Sequence, residues 1–156
     1  MKKFFTLLCC LAALAACQPQ EPDRAPLEQY AKEHMENPAS YEFANLSMRR
    51  DHTFLADLAA YKSGLEKLAA QAPDPAPYRT EIDKVEDLMA EFGTQVACYD
   101  RTLYFWFLGG SSGQMKLQQF VIGRFSPDGR LLEVSMDPDE FSTYPALQIL
   151  KDRGLL

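Results

Sequence analysis

With 156 residues, of which 47% are hydrophobic and 24% charged, the chain is long enough for one well-filled core. Its 22 acids against 16 Lys and Arg leave a formal net charge of −6, which argues against nucleic acid as a partner, since affinity for phosphates rests on Lys and Arg. Two histidines and the absence of HExxH, CxxC, GxSxG and Walker-type stretches weigh against common zinc, serine and nucleotide chemistry, although a site assembled from distant residues would carry no such mark.

Lys2 and Lys3 open the chain, and Phe4 to Ala16 is a thirteen-residue run without a charge. That is too short for a hydrocarbon core, which needs ~20 apolar residues, and it has the form of a secretory signal. The run ends in Leu14-Ala15-Ala16-Cys17, which resembles the lipobox of bacterial lipoprotein precursors. The resemblance implies a diacylglycerol thioether and an N-acyl chain on Cys17, with cleavage between Ala16 and Cys17. Cys9 and Cys10 then fall in the discarded segment 1–16, where they act as small apolar residues. In such lipoproteins of Gram-negative bacteria an aspartate after the lipidated cysteine favours the inner membrane. Gln18 lacks that mark, so the resemblance points to the outer membrane and leaves the leaflet open.

Residues 17–26 are polar and proline-rich, which predicts a semi-extended tether, and 27–156 are expected to form a single domain. Loss of 1–16 lowers Lys plus Arg from 16 to 14 and moves the charge to −8. A body this acidic is not expected to lie on anionic lipid, so the membrane contact should be the acyl chains alone, several of which hold firmly where one does not. Past Cys17 the only thiol is Cys98, which excludes an intrachain disulfide in the processed chain.

Within the domain, Leu27, Tyr30, Ala31 and His34 recur at helical spacing from Pro26, and Asn37-Pro38 stops the helix. Tyr41 to Met48 partly alternates and predicts a strand. Asp51 to Ala72 returns to helical spacing, with Asp51 a candidate cap; Pro73 to Pro77 breaks it, and Arg79 to Phe92 forms a second amphipathic helix closed by Gly93. The period then changes. Val96–Leu108, Gln114–Phe125 and Arg130–Met136 read as three strands joined by Gly109–Gly113 and Ser126-Pro127-Asp128-Gly129. Pro145 to Arg153 predicts a short closing helix. The expected class is α+β, with helices packed on one face of a small, mostly antiparallel sheet that ends in a C-terminal three-strand meander.

The short first helix, the stretch Asn37-Pro38-Ala39-Ser40-Tyr41-Glu42-Phe43, the helical middle and the Gly-rich hairpin resemble small Bacteroidetes envelope lipoproteins with an N-P-x-S-Y-E segment. Those proteins often carry a Tyr-Arg pair entering the hairpin, where this chain has Tyr99-Asp100-Arg101. The resemblance implies an envelope setting and supplies no catalytic residue. Asn37, Pro38 and Ser40 also have a local role, as helix stop, turn and backbone hydrogen-bonder.

Leu103 to Leu108 is the most informative stretch. Alternation puts Tyr104, Trp106 and Leu108 on one face and Leu103, Phe105 and Phe107 on the other, so both faces are apolar. Either the strand is covered on both sides, by the 51–92 helices and by the tether or closing helix, or one aromatic face is left open for a partner. In the second case Tyr104 and Trp106, each a large ring with a polar handle, are the candidate binding residues. Arg49 and Arg50 form the one basic cluster, able to grip a carboxylate or phosphate or to sit solvated at a strand end. Cys98 is a candidate nucleophile only if His34 or His52 approaches it. Glu81, Asp83, Glu86, Asp87 and Glu91 read as the wet side of a helix. The expectation is a lipid-anchored, non-enzymatic binding module without metal or cofactor. The alternatives are a hydrolase-like enzyme with a composite site and a structural subunit of an envelope complex.

Overall fold

A computed structural model describes residues 21–110 and 113–156; the stretch that resembles a lipobox, with Cys17, lies outside them. The chain runs α1 (Arg24–His34), a 3₁₀ turn (Pro38–Ser40), β1 (Glu42–Leu46), β2 (Arg50–Thr53), α2 (Phe54–Gln71) and α3 (Ala76–Phe92). It continues through β3 (Val96–Gly109), β4 (Met115–Phe125), β5 (Leu131–Ser135), a second 3₁₀ turn (Pro138–Glu140) and α4 (Pro145–Asp152). The protein is α+β: among the described residues four helices pack on a five-stranded sheet whose pairings are all antiparallel, with β3, β4 and β5 adjacent as a meander. Among the described residues no helix is long and apolar enough to cross a membrane.

The long central strand organises the sheet. One side of β3 takes β1 against Leu103–Trp106 and β2 against Val96–Asp100, end to end; the other side takes the whole of β4. β2 stands where helical spacing was expected from Asp51. The helix starts three residues later, and Thr53 rather than Asp51 caps it, accepting from the Ala56 amide at 3.4 Å. Asp51 lies opposite Tyr99 instead. The apolar period of α2 begins only at Phe54, so residues 50–53 were free to take the ladder bonds that β3 offers.

Residues 21–26, read from the sequence as tether, are part of the folded body. Asp23 is buried, accepts from the Tyr99 hydroxyl at 3.0 Å and lies beside Arg101, which also binds Glu21. Helix α1 therefore begins before Pro26, which fits the first turn because the amide it lacks has no intrahelical partner there.

Two apolar clusters hold the molecule. In the first, Leu27 and Ala31 of α1, with Met35 just past its end, cover Tyr99, Leu103, Phe105, Phe107, Val121 and Phe125 on one face of the sheet. Gly123 makes this approach possible, because a Cβ there would collide with the Leu27 side chain. The second joins Phe54, Leu58 and Leu65 of α2, Val85 and Leu88 of α3, and Ala146, Leu147 and Leu150 of α4 at the end of the sheet that holds Ala97. Ser40 ties the Asn37–Tyr41 turn to the sheet, donating to the Asn37 carbonyl at 2.8 Å and accepting from the Leu108 amide at 2.9 Å.

Candidate functional site

Alternation along β3 separates two unlike faces. Leu103 and Phe105 are fully buried under α1, whereas Tyr104 and Leu108 are 36% and 39% exposed and Trp106 is half-buried. Cross-strand pairing extends the open side: Tyr104 lies opposite Phe120, Trp106 opposite Gln118, Leu108 opposite Lys116 and Thr102 opposite Ile122. The Tyr104 and Phe120 ring centroids stand 6.3 Å apart. The apolar cluster built from the α2–α3 hairpin and the closing helix meets β3 at Ala97 and includes none of Tyr104, Trp106 and Leu108, which stay exposed or half-buried. The Lys116 ammonium donates to Glu42 at 2.7 Å from across β3 and stands 5.5 Å from the Trp106 ring centroid. One aromatic strip is thus framed by an exposed ion pair at one end.

At the other end Arg50, Asp100, Thr102 and Ile122 line a shallow hollow of about 280 Å³ with Ser47 and Met48. Arg50 lies opposite Asp100 and joins this face. Arg49 does not. Its guanidinium stacks 3.8 Å from the Tyr99 ring centroid on the α1 side and pairs with Asp51. The two arginines are neighbours in sequence and on opposite faces in the fold, so they cannot grip one anion together.

Beyond the hollow, where α4 reaches the sheet, lies a polar cluster that sequence reasoning missed. Arg124, almost wholly buried, donates to Asp100 at 2.9 and 3.2 Å and to Glu133 at 3.1 Å, and its guanidinium lies 5.0 Å from the Phe141 ring centroid. His52 completes it, Nε2 standing 2.7 Å from Asp100. Burial pushes the Asp100 carboxyl up, but hydrogen bonds from His52 and Arg124 and the Arg124 charge outweigh it and hold the group below its ordinary value. A signal did exist. Asp100 and Arg124 are opposite charges inside apolar strands, nine residues before Gly109 and nine after Met115, which pair at the head of the hairpin.

His52 is also the cross-strand partner of Cys98, so thiol, imidazole and carboxylate share one corner of the sheet. Catalysis needs more than proximity. Cys98 is fully buried, and burial first, then the charges of Asp100, Asp57 and Glu133, push its thiol up to about 11 against the opposing pull of Arg124. The thiol is protonated at neutral pH and closed to substrate, and the imidazole is engaged by Asp100. We expect Cys98 to stay unmodified by a thiol-reactive aromatic disulfide in the native protein and to react at once in denaturant; rapid native labelling would overturn this placement.

The remaining candidates do not converge. His34 sits exposed on α1, bonding the Tyr30 carbonyl at 2.9 Å and stacking on its ring. On α3, Asp83, Glu86, Asp87 and Glu91 are exposed and Glu81 half-buried, with Glu86 paired to Lys62. Asp57 is buried for a structural purpose, accepting from the Ala146 amide at 2.8 Å and so fastening α4 to α2. Burial raises its pKa, opposed by that same hydrogen bond. Comparison with known proteins adds no assignment: no family model matches the chain, and neither a curated protein nor a solved structure matches it.

Proposed function

We propose that this chain is a lipid-anchored protein of the bacterial cell envelope, held in the outer membrane through Cys17, which binds a partner on the open aromatic face of its sheet without catalysing a reaction. One observation carries the binding reading: Tyr104, Trp106 and Leu108, with Phe120 and Ile122 across from them, lie on a sheet face that no described helix covers. Large exposed apolar patches on soluble domains mark interaction sites. Tyr and Trp suit that role, since each offers wide contact area and a hydrogen-bonding tip. The anchor reading rests on the basic start, the apolar run and Leu14-Ala15-Ala16-Cys17.

Trp106 is the only tryptophan, so its emission reports on this face alone. Titration with solubilised envelope fractions should shift that emission saturably, and Tyr104→Ala should weaken the response about tenfold, the loss of one central aromatic contact. A spectrum unmoved by every fraction would remove the binding surface. For the anchor, mass spectrometry should find acyl mass on the wild type and none on Cys17→Ala; a processed wild type without lipid would sink that half of the reading.

A further inference from the structure

Strand β4 is longer than the strand bordering it. Ile122–Phe125 pair outward with β5, but Met115–Val121 have β3 on one side and, among the described residues, no strand on the other. Seven residues therefore offer alternate amides and carbonyls outward, a template for strand addition. The other edges are blunted. β1 breaks register between Phe43 and Asn45, β2 has four residues and a shift at His52/Thr53, and β5 has five residues and a shift against Arg124/Phe125. The β4 overhang has unbroken register with β3, no proline and a single charge, Lys116.

We propose that this overhang pairs antiparallel with the same overhang of a second copy, about a two-fold axis through Gln118 and perpendicular to the sheet. The segment is self-complementary in that register. Gln118 faces itself, Lys116 faces Phe120, Leu117 faces Gln119 and Met115 faces Val121, so no like charges meet directly. All seven residues on each copy are used, and β5 blocks any longer overlap.

The position of the chain's entry into the fold selects the same arrangement; this step alone rests on the lipid-anchor reading. Glu21 and Asp23 are fastened to Arg101 on the α1 side of the sheet. Only three residues lie between Cys17 and Glu21, so the four steps from one to the other span at most ~14 Å. A two-fold perpendicular to the sheet keeps both α1 sides together, so both anchors reach one bilayer and both aromatic faces point away from it. Packing two aromatic faces together would instead send the short tethers to opposite sides. Seven residues per copy make a weak contact in solution, and confinement to one membrane raises the effective concentration.

Thiol cross-linking of the full chain in membranes tests the register. Gln118→Cys, treated with a short bismaleimide, should give at least about tenfold more covalent dimer than Met48→Cys, the advantage of fixed proximity over collision. Met48 is 91% exposed and lies on the far edge of the sheet. Lys116→Cys should link no better than Met48→Cys, because its two copies stand four residues apart along the edge, ~14 Å. All three positions are exposed, which spares the fold, and wild type treated with the same bismaleimide sets the background from native thiols. Equal linking at 116 and 118, or none at 118, overturns the pairing. Mass spectrometry of the same Gln118→Cys protein separates the readings: no link from a lipid-bearing protein sinks the edge alone, while a link from a protein that keeps Cys17 but carries no acyl mass sinks the anchor alone.

Discussion

Arg124→Ala is expected to lower the unfolding free energy by about 3–5 kcal/mol, the range for removing one partner of a buried ion pair. The side chain is 6% exposed and satisfies two carboxylates at once. Its loss leaves Asp100 in a half-closed corner with only His52, and leaves Phe141 without the cation above its ring. Urea titration measures the change. A cost below about 1 kcal/mol would mean that the cluster behaves like an exposed pair, and that α4 does not shield it.

The same cluster sets a pH dependence whose sign is fixed. Asp100 has a folded pKa below its ordinary value, so its contribution is fully present above the unfolded carboxylate pKa, ~3.9, and is lost as pH falls through the folded value. Asp57 works the other way. Burial raises its folded pKa, so its ionised form weakens the fold at neutral pH, and its protonation on acidification offsets part of the Asp100 loss. The urea midpoint of the wild type should therefore drop in the acid limb, and Arg124→Ala should show a shallower drop because Asp100 has lost one of the two partners, with His52, that keep it ionised. Parallel profiles would detach the acid limb from this cluster.

Phe105→Ala should cost about 3–5 kcal/mol, the range for emptying a filled aromatic site. Its ring is fully buried beneath α1, 5.5 Å from Tyr41 and 6.2 Å from Phe107 between centroids. The informative comparison is the next residue. Trp106→Ala removes a larger ring from the opposite face and should stay within about 1 kcal/mol, as surface changes do. Thermal or denaturant unfolding of the pair checks the difference. Equal costs would mean that Trp106 is covered as firmly as Phe105, and the open face would be gone.

Much of the architecture was legible because local physics decides it. The meander could be read from period-two runs separated by Gly109–Gly113 and Ser126–Gly129; at Gly129 the chain turns back with φ 88°, a conformation that favours glycine. Helix α3 announced its end at Gly93, and α4 its buried Leu147 and Leu150. β2 was not legible, since four polar residues have no period of their own and become a strand only because β3 runs beside them. The split of Arg49 from Arg50 followed from the same omission. Once 50–53 is a strand, adjacent residues must point to opposite faces.

By itself the sequence determined the α+β class, the order of most elements and the acidic charge, and it carries the stretch ending at Cys17 on which the anchor proposal rests, because periodicity, turn chemistry and composition are local properties. Tertiary structure alone decided that α1 covers Phe105 while Trp106 stays half-open, that His52 meets both Cys98 and Asp100, and that β4 outruns β5. Each of these depends on which residues distant in sequence become neighbours. Burial, pKa and unpaired edges are properties of those neighbours, and no stretch of the chain contains them.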